Sequence, residues 1–353
     1  MKRISAVICE LNPLHDGHRY VFSEAKRDSD ILIAVMSGNF VQRGEPAVYH
    51  KYERANAALH AGADIVLELP FPYSSSSAEF FAYNGVRIAE GVGAAALYFG
   101  SECGDIEALK KAGKILKSEE YRNAMGVGRS AILRSDALRL LCPDLPESLY
   151  SSPNDILGAE YCRCAGIETV AVKRITTESA SSIRRRSIGK EGCDMLDPQK
   201  LSQLIFNYLR TRRTPPSNVA EGLGGVAERL YNTAFLCKNA LEWAEAVKTK
   251  QYTDARLRRA GLYALCDVSA EMLKTPCGYT RLLGANTVGR EYLSAVRKNV
   301  VIPFISNHSE KKYLERDVLI QYELGEFADS IYALLLGDTD PAFFIKAHPW
   351  IID

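Results

Sequence analysis

Hydrophobic and polar positions follow two alternating patterns over the first 175 residues. Short apolar runs, typical of buried strands, are followed by segments with apolar residues three or four positions apart, typical of amphipathic helices. Strands are predicted at residues 4–9, 31–36, 64–69, 94–99 and 169–174, and helices at 49–61, 76–88, 105–141 and 153–165. This alternation predicts an α/β fold with a Rossmann-like, doubly wound parallel sheet and right-handed crossovers.

From about residue 195 onward, the spacing of apolar residues becomes helical. Helices are predicted at residues 201–209, 226–236, 240–247 and 255–265, and Pro215-Pro216 separates the first two. We therefore predict a Rossmann-like domain at residues 1–190 and a mainly helical domain at residues 191–353. A chain of 353 residues is long enough for two or three domains.

The stretch after the first predicted strand carries distinctive chemistry. His15 and His18 are three residues apart, so they share one face at the start of a predicted helix. A helix start favours an anion through its free N–H groups and its dipole, and Gly17 lets a ligand approach the backbone. The pattern predicts a phosphate site. Metal ligation would use the same spacing, but no nearby Cys or Glu completes a metal set, so no metal site is predicted.

Further polar residues follow the other predicted strands. Together with the histidine loop they lie at residues 10–18, 37–45 and 100–102 and at Arg174. Because doubly wound sheets bind ligands beyond the carboxyl ends of their strands, we expect these loops to meet at one ligand-binding rim.

Composition excludes several classes of protein. Hydrophobic residues make up 47% of the chain and charged residues 25%, ordinary proportions for a globular protein. Apolar runs fall short of the ~20 residues that span a bilayer, and the N-terminus has no signal-peptide pattern. Of nine scattered cysteines, only Cys162 and Cys164 lie close together, which fits neither a disulfide framework nor a zinc site. We predict a cytosolic protein with reduced thiols and no membrane partner.

Charge is unevenly distributed, although the net charge is only +1. Residues 201–300 contain 15 Lys and Arg against 8 Asp and Glu, a balance of +7, whereas residues 301–353 contain 4 against 9. A basic segment of this kind is a candidate surface for a polyanion. A solvated helical face would have the same composition.

Five motifs resemble those of one bacterial family. They are ELNPLHDGH at residues 10–18, MSGNFVQRGEP at 36–46, GADIVLELP at 62–70, FGSE at 99–102 and PNDILG at 153–158. On these motifs the chain resembles the tRNA(Met) cytidine acetate ligases, within the wider His-x-Gly-His nucleotidyltransferase superfamily. The resemblance is dense up to about residue 190 and thinner in the helical remainder.

The chain also departs from the family pattern. Leu11 and Leu14 replace aromatic residues, Asp16 stands where asparagine is common, and the segment after the fifth predicted strand is shorter than usual. Residues 176–187, which carry this departure, belong to a polar stretch at 176–191 that is either a disordered surface loop or a Ser-x-x-Arg turn. In the second case Ser181 and Ser182 supply hydroxyls, and Arg184 or Arg185 supplies charge.

The resemblance implies an ATP-dependent ligase. Such enzymes activate acetate as acetyl-adenylate, release pyrophosphate, and transfer the acetyl group to N4 of the wobble cytidine of elongator tRNA(Met), giving N4-acetylcytidine. His15 and His18 are the implied catalytic residues, and Mg²⁺ is expected to bridge the phosphates. The implied ATP contacts are Ile8, Cys9, Glu10, Leu11, Asn12, Pro13, Leu14, His15, Asp16, Gly17, His18, Arg19, Tyr20 and Val21, with Gly100, Asn154 and Arg174.

Two further points concern the acetyl transfer. No base for that step is evident, although Glu10 and Lys51 are candidates alongside ordinary ion-pair or surface roles. The tRNA would bring its anticodon loop to the same rim, where unpaired bases can be read by stacking and edge hydrogen bonds. The predicted phosphate contacts, or else a solvated helix face, are Arg210, Arg212, Arg213, Arg256, Arg258 and Arg259. No protein partner is inferable.

Two other functions remain open from the sequence. A small-molecule nucleotidyltransferase acting on a phosphorylated metabolite would use the same histidine loop but leave the basic segment without a role. A non-catalytic RNA-binding protein with a vestigial nucleotide fold is the second alternative. The presence of His15, Gly17 and His18 argues against it.

Overall fold

A mostly parallel sheet with helices on both faces organises the chain. The computed structural model describes residues 2–125, 131–175, 179–188, 190, 194–337, 339–340 and 342–353, with the backbone alone at residues 131–133. The strands are β1 Ile4–Cys9, β2 Ile31–Ser37, β3 Phe40–Val41, β4 Glu45–Pro46, β5 Ile65–Leu69, β6 Ala96–Ser101, β7 Glu168–Lys173, β8 Thr280–Ala285, β9 Phe304–Ile305 and β10 Trp350–Ile351.

Most of the remaining chain is helical. The helices are α1 Asp16–Arg27, α2 Lys51–His60, α3 Ala78–Gly91, α4 Ile106–Lys117, α5 Glu119–Met125, α6 Ala131–Leu141, α7 Ser148–Ser151, α8 Pro153–Cys164, α9 Ala180–Ser187, α10 Gln199–Thr211, α11 Val226–Ala234, α12 Ala240–Ala246, α13 Asp254–Leu265, α14 Ala270–Lys274, α15 Thr287–Val296, α16 Arg316–Leu336 and α17 Phe343–Lys346. Short 3-10 turns lie at Tyr73–Ser75 and His308–Tyr313. None of the helices in the described ranges is long and apolar enough to cross a membrane.

The order of the strands shows where the sheet reverses its direction of growth. Along the main path the order is β10-β8-β5-β2-β1-β6-β7. Neighbours along the part of the sheet ordered β5-β2-β1-β6-β7 pair in parallel, and β8 pairs antiparallel with β5. The chain therefore builds outward from β1 to β5 and then returns to the other side of β1 at β6. This arrangement confirms the predicted fold class, and the carboxyl ends of β1 and β6 are where such sheets bind ligands.

The first strand is buried on both faces because the sheet separates two apolar cores. Val7 and Cys9 belong to the core that includes Phe22 of α1. Ala6 and Ile8 belong to the opposite core, against α3, α4 and α8. Burial on both faces explains why this strand is a continuous apolar run rather than an alternating pattern.

The helices after residue 195 extend the first of these cores. Leu201 and Phe206 of α10, Leu230 of α11 and Leu257 of α13 are buried in the cluster that contains Val7. The four helices predicted in this region are present as α10 to α13, each within a few residues of its predicted bounds.

The domain boundary at residue 190 stays a prediction, and the sheet itself extends across it. Strand β8 lies against β5, while β9 and β10 pair with β8. No strand was predicted there because polar Thr280 and Arg281 begin it. Both are buried: the Thr280 hydroxyl donates to the carbonyl of Glu68 at 2.6 Å, and Arg281 Nη1 lies 3.4 Å from Oδ2 of Asp329.

Candidate active site

A cavity of about 220 Å³ opens at the carboxyl ends of β1 and β6. Separate loops meet there, as expected for this type of sheet. The lining residues that were predicted from the sequence are Ile8, Cys9, Glu10, His15, Gly17, His18, Val21, Gly100, Asn154 and Arg174. The lining residues that were not predicted as contacts are Val7, Phe22, Gln42, Arg43, Phe81, Phe99, Pro153, Leu157 and Tyr161.

The two histidines stack on each other at the start of α1. Their ring centroids are 3.8 Å apart, and the ring planes are inclined by 28°. His15 is the N-cap residue of α1, and its Nδ1 accepts a hydrogen bond from the backbone N–H of Gly17 at 3.0 Å. The Nδ1 of His18 accepts from the backbone N–H of His15 at 3.3 Å. These bonds hold both rings at the helix N-terminus, where backbone N–H groups favour an anion.

His18 is electrically neutral in this position. Burial lowers its pKa to about 3, and the neighbouring His15 and Arg174 act in the same direction. Because the Nδ1 of the neutral ring accepts a hydrogen bond, the ring proton is on Nε2. His18 therefore offers a neutral N–H donor to a ligand rather than a positive charge.

Glu102, at the end of β6, links two of the predicted ATP contacts. Its Oε1 accepts a hydrogen bond from Nδ2 of Asn154 at 2.7 Å and lies 3.3 Å from Nη1 of Arg174. Its Oε2 is buried and has no hydrogen-bond partner among the described residues. Glu102 therefore holds Asn154 and Arg174 together beside the cavity.

Asp155 fixes the backbone of the same corner. Its carboxylate accepts hydrogen bonds from the hydroxyl of Ser101 at 2.5 Å and from the backbone N–H groups of Glu102 at 2.8 Å and Cys103 at 3.0 Å. Burial raises the pKa of Asp155, but these hydrogen bonds outweigh burial and lower it. The PNDILG motif contained this residue without indicating that it binds the neighbouring FGSE motif.

The loop after β2 forms the hairpin β3–β4, whose tip reaches the cavity. The backbone N–H of Gln42 donates to Oε1 of Glu10 at 2.8 Å. Arg43 lines the cavity with an exposed side chain that makes no hydrogen bond or ion pair within the described part of the chain. Burial raises the pKa of Glu10, and the Gln42 hydrogen bond and the nearby Arg43 and Arg184 charges oppose that rise only in part.

A buried arginine on α2 ties this hairpin to the loop after β1. Arg54 is 2% exposed and donates only to main-chain carbonyl groups. Its acceptors are Glu10 at 2.6 Å, Tyr49 at 2.9 Å, Ser37 at 3.0 Å and Gly38. One guanidinium therefore positions two of the loops that line the cavity.

Seven of the predicted ATP contacts do not line this cavity. Leu11 is buried in the core, and Asn12 is buried with its Oδ1 accepting from the backbone N–H of Val48 at 2.8 Å. Asp16 is exposed, and Tyr20 packs against the core. The others, Pro13, Leu14 and Arg19, line a separate surface depression. The predicted ATP contacts at residues 8–21 therefore do not all line the cavity, because successive residues of a loop and a helix point in different directions.

Lys51, a candidate base on sequence grounds, lies in a buried ion-pair cluster. Its Nζ donates to the two carboxylate oxygens of Glu68 at 2.9 and 3.0 Å and to Oδ2 of Asp329 at 2.6 Å. Burial lowers the pKa of Lys51, but these two carboxylates outweigh burial and raise it. A protonated ammonium that is 1% exposed cannot accept a proton from a substrate, so this candidate base is wrong.

The shortened segment lies partly outside the described residues, which omit 176–178. From Ser179 onward it forms α9, with the Ser179 side chain as its N-cap. Arg184 donates to the carbonyl of Asn12 and lies 3.3 Å from the hydroxyl of Ser181. The Ser-x-x-Arg pair therefore supports the loop after β1 from behind and is not among the residues that line the cavity.

Three arginines of the basic segment lie on α13, and each has a partner elsewhere in the chain. Arg256 and Arg259 lie 3.7 and 3.1 Å from the carboxylate of Glu221. Arg258 Nε donates to the carbonyl of Arg43 at 3.2 Å. Their tRNA contacts remain predictions, and the structure adds that they hold helices and the β3–β4 hairpin together.

The other three arginines lie near the end of α10. Arg210 and Arg213 are exposed, while Arg212 Nη1 donates to the hydroxyl of Tyr208 at 2.8 Å. Arg210 Nη1 lies 3.4 Å from the carbonyl of Cys237, so the end of α10 is next to the end of α11. Of the six arginines predicted as phosphate contacts, Arg210 and Arg213 are therefore the exposed ones.

Comparison with known proteins establishes the family. A profile described as HIGH Nucleotidyl Transferase matches residues 1–191 and 172–342. The tRNA(Met) cytidine acetate ligase of Thermoanaerobacter sp. (strain X514) is 30% identical over 399 aligned residues, covering 99% of both chains. The one from Clostridium acetobutylicum is 32% identical, covering 86% of this chain and 90% of that one. The chain belongs to the tRNA(Met) cytidine acetate ligase family. The resemblance drawn from the five motifs is thereby confirmed.

A solved structure of a similar protein shows the same fold. Thermotoga maritima TmcAL, crystallised with alpha-thio ATP, superposes with a TM-score of 0.89 at 28% sequence identity, over 99% of both chains. The match includes the helical half as well as the sheet. The two proteins therefore share one fold from β1 to β10.

Proposed function

We propose that this chain activates acetate with ATP as acetyl-adenylate and transfers the acetyl group to N4 of the wobble cytidine of elongator tRNA(Met). The observation that carries the proposal is the stacked pair His15 and His18 at the start of α1, in one cavity with Arg43 and Arg174. Two imidazole rings, a helix N-terminus and two guanidinium groups suit a phosphate chain. The relatives' name, tRNA(Met) cytidine acetate ligase, supports acetate as the acid and tRNA(Met) as the RNA.

In the first step, an acetate oxygen attacks the α-phosphorus of ATP. The bond between that phosphorus and the bridging oxygen breaks, and pyrophosphate leaves. Such a displacement needs positioning and charge stabilisation rather than a protein nucleophile. His15 and His18 stabilise the charge that develops on the phosphates, and Arg174 holds one phosphate oxygen. Asn154 and Gly100 shape the nucleoside pocket.

In the second step, the N4 amine of cytidine attacks the acetyl carbonyl carbon. The bond from that carbon to the phosphate oxygen breaks, AMP leaves, and N4 loses a proton. Glu10 is our candidate base because its carboxylate lines the cavity and burial raises its pKa, which makes it a stronger base than a surface glutamate. The ion-paired Lys51 does not compete for this role.

Magnesium is proposed as part of the nucleotide substrate. Within the described ranges, no three His, Cys, Asp or Glu side chains are grouped so as to hold a metal ion. When present, a Mg²⁺ ion bound by phosphate oxygens and water would neutralise part of the charge on the nucleotide. Glu10 is the carboxylate of the cavity lining that could contact such an ion.

The end of α10 is our candidate surface for the tRNA backbone. Exposed Arg210 and Arg213 are accompanied by exposed Phe235 and Leu236 at the end of α11. Phe235 packs against Tyr231 with ring centroids 5.0 Å apart. Cations interleaved with aromatic rings bind phosphates and stack on unpaired bases.

The test is ATP–pyrophosphate exchange across a panel of carboxylic acids and nucleotides, with and without tRNA. We expect exchange that requires acetate and prefers ATP to CTP, followed by tRNA(Met)-dependent release of AMP. A strong preference for CTP or for a phosphorylated co-substrate would instead support a small-molecule nucleotidyltransferase. Acetylated cytidine is detected by mass spectrometry of digested tRNA.

A further inference from the structure

A second cavity, of about 240 Å³, lies between the β3–β4 hairpin and the helices α10 to α13. Its walls are mostly apolar and include the buried side chains of Leu201, Ile205, Trp243 and Leu257. The indole Nε1 of Trp243 is already satisfied by the carbonyl of Leu230 at 3.0 Å. The volume is below that of typical sites for drug-sized ligands, about 300–1,000 Å³, and suits a single flat ring system.

The hairpin is a common wall of the two cavities. Gln42 and Arg43 line the candidate nucleotide cavity, and the next residues, Gly44, Glu45 and Pro46, line the second one. Consecutive Cα atoms are about 3.8 Å apart. The residues that line the two cavities are therefore neighbours along one hairpin.

The polar groups of the second cavity include unused hydrogen-bond partners. Gln199 and Ser202, on one face of α10, line the cavity, and neither side chain makes a hydrogen bond within the described part of the chain. Arg258 also lines the cavity, and its Nε lies 3.3 Å from Oε1 of Glu45. The lining also contains Lys248 and the carboxylates of Glu45, Glu245 and Asp254. Apolar walls edged by hydrogen-bonding groups of both signs suit an unpaired base, which carries donors and acceptors but no charge, better than a phosphate group.

We propose that this second cavity binds the base of an anticodon-loop nucleotide adjacent to the target cytidine. The proposal rests on the function proposed above, because the target cytidine must enter the first cavity. Binding of the neighbouring base on the far side of the hairpin would hold the strand across Arg43 and Gly44. The cavity is then a specificity site for the RNA and takes no part in forming acetyl-adenylate.

The test combines a protein variant whose side chain fills the cavity with an RNA that lacks the base proposed to bind there. Ser202→Phe places a ring in the cavity, and Gln203→Phe, on the exposed side of the same helix, is the matched control. The substrates are anticodon stem-loops of tRNA(Met), either intact or abasic at one position flanking the target cytidine. For wild type, we expect one of the two abasic RNAs to lower kcat/KM for acetylation by about tenfold.

We expect the losses in kcat/KM caused by Ser202→Phe and by the abasic RNA not to add, because both remove the same interaction. Ser202→Phe should lose about tenfold on intact RNA and nothing further on that abasic RNA, while Gln203→Phe behaves as wild type. Acetate-dependent ATP–pyrophosphate exchange without RNA should be the same in all three proteins. Unchanged acetylation by Ser202→Phe, or losses that multiply, would overturn the proposal.

Loss of pyrophosphate exchange, in the variant or in wild type, calls for a further measurement. If Ser202→Phe also loses exchange, the smaller change Ala244→Leu, which lines the same cavity from α12, replaces it in the same scheme. If wild type shows no acetate-dependent exchange, the proposed function fails. The cavity is then judged by binding of intact and abasic stem-loops to wild type and variant, where equal sensitivity to the abasic site would refute it.

Discussion

Arg258 donates a hydrogen bond from Nε to the carbonyl oxygen of Arg43, 3.2 Å away, and so the helical part of the chain holds the hairpin that lines the nucleotide cavity. The contact is close-packed around Gly44, which has φ +71° and whose missing Cβ would lie 2.7 Å from the backbone nitrogen of Arg259. A residue with a side chain would be strained there and would push α13 away. The two halves of the chain are therefore mechanically connected at the active site.

This connection predicts different effects for different arginines of the basic segment. Arg213 is exposed, so Arg213→Glu should weaken tRNA binding and reduce the log–log salt slope by about one, with adenylate formation unchanged. Arg259 is 9% exposed and pairs with Glu221, so Arg259→Glu should destabilise the fold by about 3–5 kcal/mol. Filter binding across a salt series and denaturant unfolding measure the two effects.

Lys110→Glu is the matched control for the surface change, because Lys110 is exposed on α4. It should alter neither tRNA binding nor stability by more than a small amount. Equal tRNA affinity for Arg213→Glu and wild type would place the RNA surface away from the end of α10. Wild-type stability of Arg259→Glu would show that its pair with Glu221 is dispensable.

The histidine pair can be tested without damaging the helix that carries it. His15→Asn keeps a good N-cap residue while it removes the imidazole, and His18→Ala removes the second ring. Loss of a charge-stabilising group of this kind costs about 10²–10³ in rate. We expect pyrophosphate release with acetate and ATP to fall by that factor in each variant, with unchanged melting temperature for His15→Asn. Release at the wild-type rate in the double variant would contradict the assignment.

The sheet and the histidine loop were predictable because their signals are local. Strand β1 was predicted with its observed bounds, since a buried parallel strand is one continuous apolar run. Strand β8 was not predictable, because buried Arg281 is compensated by Asp329, 48 residues further along the chain. The loop at residues 37–45 was predicted to reach the ligand-binding rim, but no pattern singled out Arg43 within it, because the hairpin tip is positioned by the distant helix α13.

His50 should make the free energy of unfolding depend on pH, independently of catalysis. Burial lowers its pKa to about 4, and the charges of Arg54 and Lys51 act in the same direction. The unfolded chain binds a proton near the ordinary histidine value of about 6.5, while the folded chain does so only near 4. Stability is therefore lost as pH falls through this window.

A variant of His50 should weaken that dependence. His50 is the N-cap residue of α2 and accepts from the backbone N–H of Glu53 at 3.3 Å, a role that asparagine can take over. We expect His50→Asn to reduce the slope of unfolding free energy against pH between about 4.5 and 6 by up to one proton equivalent. Urea unfolding at several pH values measures this slope. An identical slope in both proteins would show that the pKa of His50 is the same in the folded and unfolded chains.

Replacement of Lys51 should strongly lower the stability of the fold but leave the rate of acetyl transfer nearly unchanged. Replacing Lys51 with Met removes the ammonium that Glu68 and Asp329 share. Arg281, 3.4 Å from Asp329, is then the remaining cation of the cluster, and loss of one partner from such a buried network typically costs about 3–5 kcal/mol. Lys26→Met is the matched control: its partner is Asp64 at 2.5 Å, but the Lys26 side chain is 38% exposed, so the expected cost is at most about 1 kcal/mol.

The Lys51→Met deficit should shrink at acidic pH, because protonation of the two carboxylates removes the uncompensated charge. Guanidinium unfolding at pH 7 and pH 5 measures both variants, and single-turnover acetyl transfer is followed under conditions where each is folded. A folded Lys51→Met protein should transfer acetyl groups at close to the wild-type rate, since its ammonium is paired away from the cavity. Wild-type stability combined with loss of transfer would instead make Lys51 part of the catalytic machinery and leave Glu10 without its proposed role.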